Sequence, residues 1–332
     1  MKTLKDQLKT GNFGRLYLFY GPETYLAHSY LDSMVKRLVG SKEDSMNYEQ
    51  FDGAIQEERI LDALETLPFL AERRVVVLNG MDLFLPKNAK KVEKLASHLE
   101  RIPDTATLFL LEKEVDKRSR LFKQASKHGE VVEFKHLGEE ELVKHLARRL
   151  ARHGKNIERG TARHFIETVG FELERVENEL EKLVDYAWEE PVVTRDHIDR
   201  ICSKNLENKV FAMVECLGTE KREEALGLFQ DLMALKEPPT RILFLLSRQL
   251  RILLQVKLMA EAGHSPGAIA SKIKLPPFVA NKNLRQAGRF SKERLLLALN
   301  KCLEVELLFK QGRMDLEIGV QMILIENSGN GK

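Results

Sequence analysis

The apolar run Leu16–Tyr20 leads into Gly21-Pro22-Glu23-Thr24, which has the order of a phosphate-binding loop: a strand-like segment, a glycine turn and a helix start. Phosphate chemistry needs more than the turn. The pattern G-x-x-x-x-G-K-[ST] supplies a ring of backbone N–H groups, a lysine that reaches the β- and γ-phosphates and a hydroxyl that holds Mg²⁺. Here Pro22 suits a first helical position and Glu23 falls in the first turn. A carboxylate there complements the helix dipole and repels a phosphate drawn to the same positive end. No lysine follows before Lys36. The acidic pair that would hold Mg²⁺ and orient water is missing too, because Arg74–Leu78 ends in Asn79-Gly80 with Asp82 displaced. The run at Thr107–Leu111 ends in Glu112-Lys113, not in a small polar residue able to sense a γ-phosphate. The three absences coincide and argue against nucleotide hydrolysis, which depends on those groups.

Other chemistries find no better footing. His145 and His153 flank the basic run "LARRLAR" and His164 follows on the next helical stretch, but none forms H-E-x-x-H. Their basic neighbours disfavour a bound cation, so they read as solvated helix histidines. There is no G-x-S-x-G elbow, and no carboxylate pair stands out from the surface glutamates. Cys202, Cys216 and Cys302 are widely spaced without C-x-x-C, which argues against a disulfide framework or a zinc site and suits a reducing cytosol. The N-terminus has no apolar stretch of signal-peptide length, and the longest later apolar run, "ILFLLS", is too short to span a bilayer. The expectation is a cytoplasmic, soluble protein with no catalytic residue, no cofactor, no metal and no membrane partner.

The elements that would position any site fall into two regimes. "RLYLFY", "RVVVLNG", "TLFLLE" and "EVVEFK" are short apolar runs without period-two alternation, as in strands covered on both faces. A weaker strand around "MNYEQFDG" fits between the first two. Between them, Ala27, Leu31, Met34, Val35 and Leu38 share one helix face, as do Ile60, Leu61, Leu64 and Leu67. Strand–helix alternation of this kind implies a parallel sheet with right-handed crossovers. After "FKHLGEEEL" the strand signals stop and the pattern becomes helical; Leu173, Val176, Leu180 and Leu183 recur at three- and four-residue steps, and Thr194 suits the N-cap of a short helix. From Glu207 onward only helix signal remains, with loops at "KEPPT", "AGHSPG", "KLPPF" and "AGRFS". At 332 residues, 43% hydrophobic and 31% charged, the chain is long enough for several cores. Three units are expected: an α/β domain over residues 1–138, a small helical domain over 139–206 and a helical C-terminal domain over 207–332.

Two stretches look like binding surfaces. In "ETLPFLAERR", Leu67 completes the helical stripe, Pro68 stops the helix, and Phe69 and Leu70 lie on a short connection into the next strand. They form either an exposed apolar plug or part of the core. The residue types alone favour the core, because most large apolar side chains are buried. The second stretch is Arg241–Arg294, where eleven basic residues stand against Glu261 and Glu293, a local charge of +9 in a chain whose net charge is +3. Arg248, Arg251, Lys282, Arg285 and Arg289 in this stretch are candidate contacts to DNA or to neighbouring subunits. Ordinary solvated helix faces are the alternative.

In order and spacing, several segments resemble the delta subunits of bacterial DNA polymerase III clamp loaders: "YLFYGPETYL", "LPFLAERRVVVL", "ELERVENELEKLV", the stretch from "ILFLLSRQL" to "AGRFS", and "LEVELLFKQGRMD". The resemblance covers nearly the whole chain. It implies an AAA+-like parallel-sheet domain without a functional phosphate loop, a small helical lid domain and a helical collar domain. It also implies that the chain is a non-catalytic part of the polymerase holoenzyme. Such a subunit binds the sliding beta clamp and opens its ring for loading on primed DNA. Its partners are gamma/tau-type and delta-prime-type siblings in a five-membered ring, whose motor subunits bind and hydrolyse ATP. Carried over by position, the clamp-contacting residues are Leu67, Phe69 and Leu70, which would then be exposed rather than core. Two other readings remain at this point: a divergent AAA+ ATPase, and a stand-alone DNA-binding protein using the basic C-terminal helices.

Overall fold

A computed structural model describes residues 2–40, 46–203 and 205–327. The chain divides into two compact units, Met1–His136 and Leu137–Lys332.

In the first unit the elements run α1 (Lys2–Thr10), β1 (Leu16–Tyr20), α2 (Thr24–Val39), β2 (Tyr48–Asp52), α3 (Glu57–Glu65), β3 (Arg74–Asn79), α4 (Glu93–His98), β4 (Ala106–Glu112), α5 (Arg120–His128) and β5 (Glu130–Glu133). All five strands expected from the apolar runs form, in one sheet of order β2-β3-β4-β1-β5, and every pairing is parallel. Because β1, β3 and β4 are covered on both faces, alternate residues enter two separate cores. Leu18, Val76, Leu78, Leu108 and Leu110 pack on one face with Ile60 and Leu64 of α3, Leu95 of α4 and Leu121 of α5. Tyr17, Phe19, Val75, Val77 and Phe109 pack on the other with Leu4 of α1 and Leu31, Met34 and Val35 of α2. Tyr17 stacks on Phe109 across β1 and β4, with ring centroids 4.9 Å apart.

The second unit continues α6 (Glu139–Arg152), β6 (Asn156–Ile157), α7 (Arg159–Val169), α8 (Leu173–Tyr186), β7 (Val192–Val193), α9 (Arg195–Ile201), α10 (Leu206–Gly218), α11 (Arg222–Ala234), α12 (Pro239–Glu261), α13 (Pro266–Lys272), α14 (Pro277–Ala287), α15 (Lys292–Lys310) and α16 (Leu316–Asn327). Prolines open α12, α13 and α14, where the missing N–H has no partner to lose. Thr194 caps α9 as expected, its hydroxyl accepting from the His197 amide. Strands do not stop after β5: β6 and β7 pair in parallel, two residues each and too short to leave a periodic signal.

One hydrophobic core runs from Leu206 to Leu324 through the C-terminal helices. A polar network of the half-buried Gln249 and the buried Asn283 and Gln286 packs against it. Gln249 of α12 donates to Asn283 (2.8 Å) and Gln286 (2.7 Å) of α14, and Gln286 donates to the Phe211 carbonyl of α10 (3.0 Å). Every member finds a partner, the condition under which buried amides fix register instead of destabilising. Within the same unit, residues 139–206 touch the C-terminal helices: Asn208 donates to Glu167 O, and Phe171 packs edge-to-face on Phe278 at 4.4 Å.

Candidate functional site: a closed turn and an exposed apolar loop

The turn after β1 keeps the path of a phosphate loop, but its donors are engaged elsewhere. Gly21 N–H donates to the Glu112 carbonyl at 3.0 Å and Glu23 N–H to the Phe134 carbonyl at 3.1 Å. Gly21 adopts φ +126°, and a Cβ there would stand 2.3 Å from Phe134 O, so glycine is demanded by the close approach of the chain after β5. Glu23 is the residue before α2 rather than part of its first turn. The residue is only 5% exposed, and its carboxylate faces His136 Nδ1 at 3.4 Å. Its backbone, at φ −87° and ψ 71°, is not helical, and its amide is held by the Phe134 carbonyl. At the end of β4 the Glu112 carboxylate is also turned inward, accepting from the amides of Leu83 (2.9 Å) and Asp82 (3.1 Å). Burial raises its pKa above the ordinary carboxylate value against the pull of those amides.

The loop between α3 and β3 has the opposite character. The expectation that Leu67 completes the α3 stripe, and the residue-based preference for burying Phe69 and Leu70, are both corrected. α3 ends at Glu65, and Thr66, two residues before Pro68, is already extended at φ −67°, ψ 127°. Leu67, Phe69 and Leu70 are 75%, 58% and 93% exposed. Leu70 sits at φ +50°, a region that costs a branched side chain about 1–3 kcal/mol.

The loop is nevertheless held at several points. The Thr66 hydroxyl donates to Asp62 O at 2.7 Å. Asn47, buried at the start of β2, accepts from Phe69 N–H at 2.6 Å and donates to Phe69 O at 2.8 Å. Arg73 donates to the carbonyls of Phe13 (2.9 Å) and Gly14 (3.2 Å). Arg74 donates to Met46 O at 3.1 Å and pairs with Glu49. Met46 itself is 70% exposed. Nothing in the sequence singles out Met46 or Asn47; their partners lie more than twenty residues away, beyond any local pattern.

The basic C-terminal stretch is less free than its charge count implies. Arg248 pairs with Glu207 at 2.6 Å and Arg289 pairs with Glu215, both on α10. Lys282 lies over the Phe171 ring at 5.0 Å. Arg251 and Arg285 are exposed, and among the described residues neither has an ion-pair partner.

The histidines read as solvated are mostly tied. His145 and Arg149 on α6 both hold the buried Glu177 of α8, with Arg149 at 2.8 Å, and His164 pairs with Asp199 at 2.9 Å. The three cysteines are free and buried; burial pushes the Cys202 thiol to about 12 and Cys302 to about 11, where neither is a nucleophile at neutral pH. Among the described residues, no helix is long and apolar enough to cross a membrane.

Comparison with known proteins bears on both halves of the chain. A family model described as DNA polymerase III, delta subunit, matches residues 17–135, and one described as the C-terminal domain of the DNA polymerase III delta subunit matches residues 207–327. The DNA polymerase III subunit delta of Bacillus subtilis is 30% identical over 329 residues, covering 96% of this chain and 94% of that protein. A probable DNA polymerase III subunit delta of Aquifex aeolicus is 25% identical over 260 residues, 75% of this chain and 72% of that one. The solved structure of a Bacillus subtilis DNA clamp loader delta protein superposes with a TM-score of 0.81 at 26% identity, covering 98% of this chain and 99% of the other. The five-stranded sheet is parallel throughout, as the resemblance implied. With both halves matched and one relative aligned over nearly its whole length, the chain belongs to the DNA polymerase III delta subunit family.

Proposed function

We propose that this clamp-loader subunit binds the sliding beta clamp through Leu67, Phe69 and Leu70, with Met46 at the edge of the same surface, and opens the ring for loading on primed DNA. The observation that carries the reading is the loop itself: three large apolar side chains stand in solvent on a backbone tied down at Thr66, Phe69 and Arg73. A loop kept only for stability would bury Leu70 rather than hold it in a strained conformation. Each large side chain that enters an apolar pocket on the clamp gains roughly 1.5–3 kcal/mol. Binding opens the ring only to the extent that the open form is bound better than the closed one.

In this reading the chain itself is non-catalytic, and ATP is handled by the motor subunits among its gamma/tau-type and delta-prime-type siblings in a five-membered ring. The engaged amides of Gly21 and Glu23 and the inward Glu23 carboxylate favour this over a divergent ATPase. Residues 139–206 act as the lid and residues 207–332 as the collar that meets the siblings, with exposed Leu297, Leu303 and Leu307 on α15 available for that contact. Arg251 and Arg285 face primed DNA or a neighbour within the assembly. The pairing of Arg248 with Glu207 and Arg289 with Glu215 weakens the stand-alone DNA-binding reading.

The experiment is direct: the purified chain, mixed with the purified cognate clamp without nucleotide, co-elutes with it in gel filtration. Separate elution at micromolar concentrations contradicts the proposal.

A further inference from the structure

We propose that Asn47 is a positioning residue for the apolar loop, holding the main chain of Phe69 in the docking conformation before any partner arrives. The inference rests on the clamp-binding reading above. Asn47 is 7% exposed, so it does not itself form the docking surface. Its Oδ1 accepts from Phe69 N–H at 2.6 Å and its Nδ2 donates to Phe69 O at 2.8 Å, the two bonds that a neighbouring strand would make. Its own carbonyl accepts from Val75 N–H at 2.7 Å, which ties this grip to the β2–β3 pair.

The chemistry of the side chain suits the task. A short planar group with one donor and one acceptor is needed to satisfy both main-chain groups of a single residue. Aspartate lacks the donor, leucine lacks both, and glutamine sets the amide one methylene further out. Phe69 is the middle of a loop with no secondary structure of its own, and the next residue is Leu70 at φ +50°. Such a conformation persists only where its surroundings over-determine it. Ordering the loop beforehand removes that cost from the binding step.

The test measures dissociation constants of the full chain for the purified cognate clamp, with thermal melts and hydrogen exchange at the Phe69 amide. Asn47→Ala is expected to weaken binding about tenfold, but only about threefold or less in a Phe69→Ala background, since the two act through one element. Full additivity of the two losses overturns the proposal. Asn47→Asp, which keeps the acceptor and loses the donor, is expected to fall between wild type and Asn47→Ala, and it replaces Asn47→Ala in the cycle if that variant fails to fold. If Phe69→Ala leaves clamp affinity unchanged, the clamp-binding reading fails separately. The positioning role is then decided by exchange at the Phe69 amide: at least about tenfold faster in Asn47→Ala supports it, and unchanged protection overturns it.

Discussion

Gly21 and Phe134 lie so close that a Cβ on Gly21 would stand 2.3 Å from the Phe134 carbonyl oxygen. The same carbonyl accepts from Glu23 N–H at 3.1 Å. The chain leaving β5 therefore occupies the place where the amides of a phosphate loop would face a nucleotide. Mg²⁺·ATP at millimolar concentration is expected to leave the melting temperature of the chain unchanged. A ligand present at 100 times its Kd would stabilise by about 2.7 kcal/mol, so a shift of several degrees in differential scanning fluorimetry would contradict this.

Leu70 is left-handed and exposed, so on the clamp-binding reading stability and binding should part at this position. Leu70→Asn is expected to raise stability by about 1 kcal/mol, because asparagine tolerates φ +50° where leucine is strained. The same change should weaken clamp binding about tenfold by removing an apolar contact. Chemical denaturation and calorimetry on one variant read both signs.

Glu177 gives the helical unit an acid-sensitive joint. Burial alone would raise its pKa, but the hydrogen bonds and charges of His145 and Arg149 outweigh burial and leave it below the ordinary value of 4.5. A depressed folded pKa stabilises above the unfolded value, and the contribution disappears as pH falls through the folded one. Glu177→Gln is therefore expected to cost about 2 kcal/mol at neutral pH and to show less loss of stability between neutral pH and pH 3 than wild type. Parallel pH curves for the two proteins, followed by circular dichroism melts, would count against the assignment.

The arginines of the C-terminal unit divide by partner. Arg251→Ala and Arg285→Ala remove exposed groups and should leave the melting temperature within error. Within the assembled loader each should lower the salt slope of DNA binding by about 1 if it meets a phosphate. Arg248→Ala and Arg289→Ala should instead act mainly on stability, through the lost contacts to Glu207 and Glu215. Equal effects of all four on DNA binding would refute the division.

The sheet is legible because β1, β3 and β4 are buried on both faces and so read as continuous apolar runs, which single sequences display plainly. The defective phosphate turn is legible from the residues it lacks, though its real closure, through Phe134, depends on a strand more than a hundred residues away. The loop escapes a sequence reading for a local reason and a distant one. Helical periodicity runs on through Leu67, whereas the chain leaves the helix at Thr66 ahead of Pro68. The burial preference for Phe69 and Leu70 describes an average side chain, whereas here Asn47 fixes the main chain of Phe69 and both side chains remain in solvent. Charge counted over Arg241–Arg294 misses Glu207 and Glu215 because they lie outside that window but across one helix contact. His145 likewise reads as solvated because its partner Glu177 lies on another helix.

The central claim is that Leu67 and Phe69 serve a partner and not the fold. The most direct test is calorimetric titration of the full chain into the cognate clamp, with Leu67→Ala/Phe69→Ala beside wild type and melting temperatures for both. The account predicts a loss of clamp affinity of at least about a hundredfold, or about 3 kcal/mol, with the melting temperature unchanged. Wild-type affinity in the double variant, or a marked fall in its melting temperature with affinity retained, would contradict it.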